Sequence, residues 1–282
     1  MELEMEFIRK LPSPQELKME HPVDPGLYQI KTRRDQEIRD ILTGKDARFL
    51  LIIGPCSADN EDAVTEYCTR LARVQEEVKE TLFLIPRVYT NKPRTIGVGY
   101  KGMLHQPDPH GGEDMLKGIL ACRKMHERVI RETGFTCAEE ILYPENHRYL
   151  SDLISYAAIG ARSVEDQLHR MIASGVGIPV GMKNPTSGDI SVMLNSIAAA
   201  QHEQQFPFSE AGKCGPRAIR SLTLSCAAMW TSLAGVCPTI ITKTWSVSMN
   251  PMEAGPFPSS GHYRCQPCQF REKIPGTGSH CK

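Results

Sequence analysis

Six cations recur where short apolar runs give way to polar residues: Arg87, Lys92, Arg94, Lys101, Arg162 and Lys183. Any one of them alone reads as a solvated loop charge. Their repetition after successive runs points instead to one place that collects positive charge. Guanidinium forks and ammonium groups held together suit a phosphorylated, carboxylated small molecule. Cys56, after Gly54 and Pro55, reads either as a small buried residue or as a thiolate poised for a metal. Glu139 and Glu140 place carboxylates among the cations. Near the other end, Cys265 and Cys268 form a C-x-x-C with His262, His280 and Cys281 close by, which is the spacing of a zinc knuckle.

Positioning these groups requires a regular scaffold. The runs FLLIIGPCS and LFLIPRVYT are separated by DAVTEYCTRLARVQEEVKETL, whose apolar residues recur at helical spacing, giving β, α, β. The alternation continues with EDMLKGILACRKMHERVIRET as helix, FTCAEEIL as strand, RYLSDLIS as helix and YAAIGARS as strand. VEDQLHRMIASG follows as helix, IPVGMKN as strand and SGDISVMLNSIAAAQ as helix. Strands that are apolar throughout and alternate with helices predict a parallel sheet covered by helices. In a (β/α) barrel the polar strand ends converge on one mouth, whereas an open doubly wound sheet gathers fewer of them. Residues 1–45, with Pro12, Pro14, Pro22 and Pro25, read as an extended arm that packs on a neighbour, followed by the amphipathic DQEIRDILTG.

The chain has 282 residues with 33 basic and 33 acidic side chains, a balance that argues against a nucleic-acid footprint. MELEMEF lacks the layout of a signal peptide, and no apolar run is long enough to span a bilayer. A cytoplasmic protein is expected, with Cys56, Cys68, Cys122 and Cys137 as thiols. Composition breaks near residue 200: no aspartate follows Asp189, and both tryptophans and six of the ten cysteines lie beyond it.

IIGPCS, RVYTNKPRT, the YKG after it, IGARSVEDQLHR and PVGMKN together resemble the class I 3-deoxy-D-arabino-heptulosonate 7-phosphate (DAHP) synthases, from the arm to about Gln201. That resemblance implies a (β/α)8 barrel and the joining of phosphoenolpyruvate to D-erythrose 4-phosphate with release of phosphate, the first step of the shikimate pathway. It also implies a divalent metal of the Mn, Fe, Co or Zn type, a homo-oligomer, and an aromatic amino acid as feedback inhibitor. Cys56 would be a metal ligand. Arg87, Lys92, Arg162 and Lys183 would grip phosphoenolpyruvate, with Lys92, Arg162 and Lys183 as catalytic groups. Arg94 and Thr95 would hold the phosphate of the erythrose, and Lys101, Ala161 and Glu140 fall among the other substrate-binding positions. The stretch from KPRT through GVGYKG has one residue more than the family's TVGWKG form.

Residues 202–282 contain neither the S-H-A-N nor the L-R-G motif that the resemblance calls for. Read one nucleotide later, GHYRCQPCQFREK permits V-I-I-D-A-S-H-A-N-S-E-K-K. Read two nucleotides later, SEAGKCGPRAIRSLTLSCAAMWT permits a string ending V-L-R-G-D-V-D, in which Met229, Trp230 and Thr231 force the final two residues. The expectation is therefore an arm (1–45), about five β/α units of a barrel (46–201) and an out-of-frame, irregular tail (202–282) whose C-x-x-C binds no zinc. The alternatives are an inactive remnant of the enzyme and, more remotely, a zinc-binding tail.

Overall fold

The computed structural model describes residues 8–93, 97–202, 206–208, 212–214, 222–228 and 240–245. All belong to the compact unit Met1–Ser248, and the second unit, Met249–Lys282, lies outside the described residues. The C-x-x-C and its histidines lie outside them as well.

Five strands alternate with helices as the apolar runs predict: β1 (Phe49–Gly54), β2 (Leu82–Pro86), β3 (Cys137–Glu140), β4 (Ile154–Ile159) and β5 (Val180–Lys183). The helices are α1 (Pro14–Glu20), α2 (Pro25–Leu42), α3 (Glu61–Val78), α4 (Met115–Thr133), α5 (Gln167–Gly175) and α6 (Ile190–Gln201). Each of these helices starts on a side-chain cap, from Ser13, Asp24, Asn60, Asp114, Asp166 and Asp189 respectively. Such caps satisfy first-turn N–H groups.

Two segments depart from expectation. Most of residues 14–42 are helical rather than extended: Pro14 and Pro25 each stand at the first helical position, where proline's missing N–H costs nothing. The resulting α2 packs on its own chain. Ile38, Ile41 and Leu42 form one buried cluster with Leu50, Ile52, Phe83, Ile85, Ala138 and Tyr156 from β1 to β4. Arg34 of α2 lies over Phe83 at 4.2 Å and donates to the Leu84 carbonyl at 2.7 Å. RYLSDLIS is not an α-helix either. A 3-10 turn, Asn146–Tyr149, leads through a short turn into β4, because Leu153 and Ile154 are fully buried at the start of the strand's apolar run.

The described residues form a seven-stranded sheet ordered β2-β1-β9-β8-β5-β4-β3, in which β8 is Leu222–Ala228 and β9 is Ile240–Trp245. β6 (Phe206–Phe208) and β7 (Gly212–Cys214) make a separate antiparallel pair. Neighbours among β1 to β5 run parallel, as does β8 beside β5, while β9 is antiparallel to both β1 and β8. One bridge, Arg87 with Ala138, joins β2 to β3 at the two ends of this order. The tail is thus not wholly irregular. LTLSCAA and IITKTW are rich in β-branched and apolar residues, and the edges of β5 and β1 would otherwise expose unpaired backbone groups that template such runs.

Candidate active site at the strand ends

Strand parity builds the site. Leu50 and Ile52 of β1, Phe83 and Ile85 of β2, Ala138 of β3 and Tyr156 of β4 share the inner cluster. Side chains alternate between faces with period two, so the same side carries forward to Gly54 and Cys56, to Arg87 and Tyr89, to Glu140 and to Gly160. The backbone pairing that sustains this parity runs past β2: Arg87 N–H donates to the Ile53 carbonyl, Val88 N–H to the Ala138 carbonyl and Ala58 N–H to the Tyr89 carbonyl, each at 2.9 Å.

Arg87 is buried and stacks over the Tyr89 ring at 4.1 Å. Its Nη1 donates to the Pro55 carbonyl at 3.2 Å, but its buried Nε finds no acceptor among the described residues. A buried guanidinium N–H without an acceptor is costly and is a ready donor to an anion. From β5, Lys183 approaches the same ring, its Nζ 4.8 Å from the centroid, and pairs with Glu140 at 3.2 Å. Burial alone would depress the Lys183 ammonium. Tyr89 and the Glu140 carboxylate outweigh it, and its pKa lies above the ordinary value. Tyr89 is therefore a platform shared by two cations.

Lys92 Nζ donates to both the carbonyl (3.1 Å) and the thiol sulfur (3.2 Å) of Cys56. Burial pushes the Cys56 thiol up, but hydrogen bonding and charge from Lys92, together with Arg87, hold it below the ordinary value. Among the described residues no group of three or more His, Cys, Asp or Glu side chains is placed to hold a metal. Cys56 alone does not constitute a metal centre.

The remaining expected residues are distributed differently. Arg162 is exposed and Ala161 half-buried on the turn after β4. Lys101 Nζ pairs with Glu113 at 2.6 Å rather than with the Tyr89 cations. Arg94 and Thr95 lie outside the described residues. Glu139, which the sequence set among the strand-end carboxylates without a role of its own, sits on the opposite parity to Glu140. Its carboxylate accepts from Thr90 N–H (3.0 Å), Thr90 Oγ1 (2.7 Å) and Glu140 N–H (2.9 Å), with His126 of α4 at 3.8 Å. Glu139 thus fixes the segment between Tyr89 and Lys92. The adjacent Glu-Glu pair was the signal, since neighbours on a strand face opposite ways.

These features define an α/β protein with cations gathered at the ends of parallel strands. The sequence profile of the DAHP synthetase I family matches residues 26–239; the chain belongs to that family. It is similar to the Trp-sensitive phospho-2-dehydro-3-deoxyheptonate aldolase of Escherichia coli (strain K12), with 39% identity over 205 residues, covering 73% of this chain and 58% of that one. It is also similar to the phenylalanine-inhibited phospho-2-dehydro-3-deoxyheptonate aldolase of Saccharomyces cerevisiae, with 39% identity over 197 residues, 70% of this chain and 52% of that one. The solved structure of phospho-2-dehydro-3-deoxyheptonate aldolase from Francisella tularensis SCHU S4 superimposes with a TM-score of 0.72 at 28% identity, covering 80% of this chain and 66% of that one. The chain thus spans little more than half the length of the curated relatives it matches.

Proposed function

We propose that the family's reaction belongs to this protein: phosphoenolpyruvate, D-erythrose 4-phosphate and water give 3-deoxy-D-arabino-heptulosonate 7-phosphate and phosphate. The observation that carries this reading is the pair of buried cations, Arg87 and Lys183, stacked on Tyr89 with the Arg87 Nε lacking an acceptor. Two fixed cations at one aromatic face match a ligand bearing a phosphate ester and a carboxylate on the same carbon. In this reading Arg87, Lys92 and Lys183 hold phosphoenolpyruvate, Arg162 reaches it from the turn after β4, and Arg94 and Thr95 take the phosphate of the erythrose. The protein's contribution is orientation and charge stabilisation. A divalent metal with Cys56 as one ligand belongs to the same reading, its identity open; so do a homo-oligomer and an aromatic amino acid inhibitor, the latter supported by the "Trp-sensitive" and "phenylalanine-inhibited" names of the relatives.

The proposed architecture is an N-terminal arm used in assembly or regulation (1–45), about the first five β/α units of a (β/α)8 barrel (46–201) and an out-of-frame tail (202–282). A second reading, a remnant without turnover, is favoured by the lack of S-H-A-N and L-R-G motifs in residues 202–282. Sequencing the coding region and assaying phosphate release from both substrates separates the two. A frame-restored product is expected to turn over and the chain as written is not. Absence of turnover in the frame-restored protein would sink the assignment.

A further inference from the structure

Glu140 places a negative charge inside a site otherwise built for anions. Its carboxylate meets Lys183 Nζ at 3.2 Å, and both side chains are only 12% exposed. It also lies against the backbone of Gly160: a Cβ built there would fall 2.1 Å from Glu140 Oε1. The absence of a side chain at Gly160 is what leaves room for the carboxylate beside Lys183. A surface ion pair could be incidental, but this one is nearly closed off from water. It also engages the ammonium that faces Tyr89 next to Arg87.

We propose that Glu140 is a built-in counter-ion: it holds Lys183 aimed into the mouth while the site is empty, and an incoming phosphate or carboxylate must share or displace it. Glu140 is then a positioning residue that lowers affinity for small anions. This rests on the reading of the strand ends as a phosphoenolpyruvate site and assigns one residue a direction of effect within it. A purely structural carboxylate would do the opposite, since its loss would loosen Lys183 and weaken binding. A like charge within one hydrogen-bond length of the receiving ammonium repels a bound anion at close range, and its removal is expected to tighten binding by roughly tenfold.

The test is calorimetric titration of the full 282-residue chain with inorganic phosphate and with phosphoenolpyruvate. It compares the unaltered protein with Glu140→Gln, Glu140→Ala and Glu140→Asp, with unfolding curves recorded alongside. Glu140→Gln and Glu140→Ala should each bind both ligands roughly tenfold more tightly, and either one suffices if the other does not fold. Glu140→Asp, which keeps the charge, should stay within about twofold of the unaltered chain. Binding by the unaltered chain that Glu140→Gln and Glu140→Ala leave unchanged or weaken overturns the counter-ion role alone, as does tightening by Glu140→Asp equal to that of Glu140→Gln. No binding by any variant overturns both this inference and the phosphoenolpyruvate reading.

Discussion

Tyr89 organises the site at the scale of single residues. Its ring receives both Arg87 and Lys183, so Tyr89→Leu should weaken phosphoenolpyruvate binding by roughly tenfold through loss of two cation–π contacts, read by direct titration. An unchanged affinity would show that the ring is a spectator. The cations were legible in the sequence because charge after an apolar run is conspicuous. Tyr89 was not, because an aromatic residue there is equally well explained as core. Glu139 was named only as one of two adjacent acids, with no role of its own, because only the backbone settles which of the pair lies beside Lys183 and which faces α4. His147 supplies a pH-dependent test. Burial, and then the nearby ammonium groups of Lys18 and Lys31, lower its pKa from 6.5 to about 4. The unfolded chain therefore takes up a proton below about pH 6.5 that the folded chain refuses until about pH 4. Stability should fall as pH drops through that window and level off below it. His147→Gln should remove that share of the slope in urea unfolding curves recorded across the range. An identical pH dependence in both proteins would contradict the assignment.

The elements are held to one another by a few buried polar contacts, and these carry testable weight. Arg123 of α4 is 2% exposed and makes a two-pronged pair with Asp152 at 2.8 and 3.0 Å. It also reaches the carbonyls of Tyr149 (2.6 Å) and His21 (3.1 Å). One side chain thereby joins α4, the 3-10 turn and the segment between α1 and α2. Arg123→Met should cost about 1–3 kcal/mol in denaturant unfolding, because it leaves two carbonyls without this donor and Asp152 with Lys18 at 3.7 Å. A loss under about 1 kcal/mol would mean that these groups re-pair or reach water. The loop that carries Lys92 and Lys101 is folded back on itself by Lys92 N–H to the Lys101 carbonyl (3.1 Å) and Leu104 N–H to the Thr90 carbonyl (3.3 Å). Gly102 makes that turn with φ of 99°, and a Cβ there would sit 2.3 Å from the Thr90 carbonyl oxygen. Gly102→Ala should destabilise the fold by about 1–3 kcal/mol and weaken phosphoenolpyruvate binding by displacing Lys92. The alternation of strand and helix was legible because β1, β2 and β4 are continuous apolar runs and each helix opens on a polar cap. The helical arm was less so. Proline at a first helical turn and proline in an extended segment look alike until the residues further along, Ile38, Ile41 and Leu42, find apolar partners to bury against.

At the scale of the whole molecule, the quoted motifs that carry the family resemblance all lie before Gln201, and the chain beyond it differs in composition, with no aspartate and both tryptophans. The expected irregular tail instead contributes β8 and β9 to the sheet, the latter antiparallel to its neighbours. No sequence pattern announced this, because strand addition at an open edge is decided by unpaired backbone groups rather than by periodicity. The motifs IIGPCS, RVYTNKPRT and PVGMKN pointed to the family and to the strand ends, at or just past which Arg87, Lys92 and Lys183 are found. They could not reveal that Lys101 turns to Glu113, a partner twelve residues on in an irregular loop. In the proposed reading Arg87 and Lys183 form the anion-binding heart of a phosphoenolpyruvate site. Equilibrium titration of phosphoenolpyruvate against the chain, and against Arg87→Met and Lys183→Met, tests it most directly. One saturable site per chain is expected, with affinity lowered at least about tenfold in each variant, in line with a lost charge-assisted contact. Saturable binding that neither substitution disturbs, or no binding at all, would contradict it.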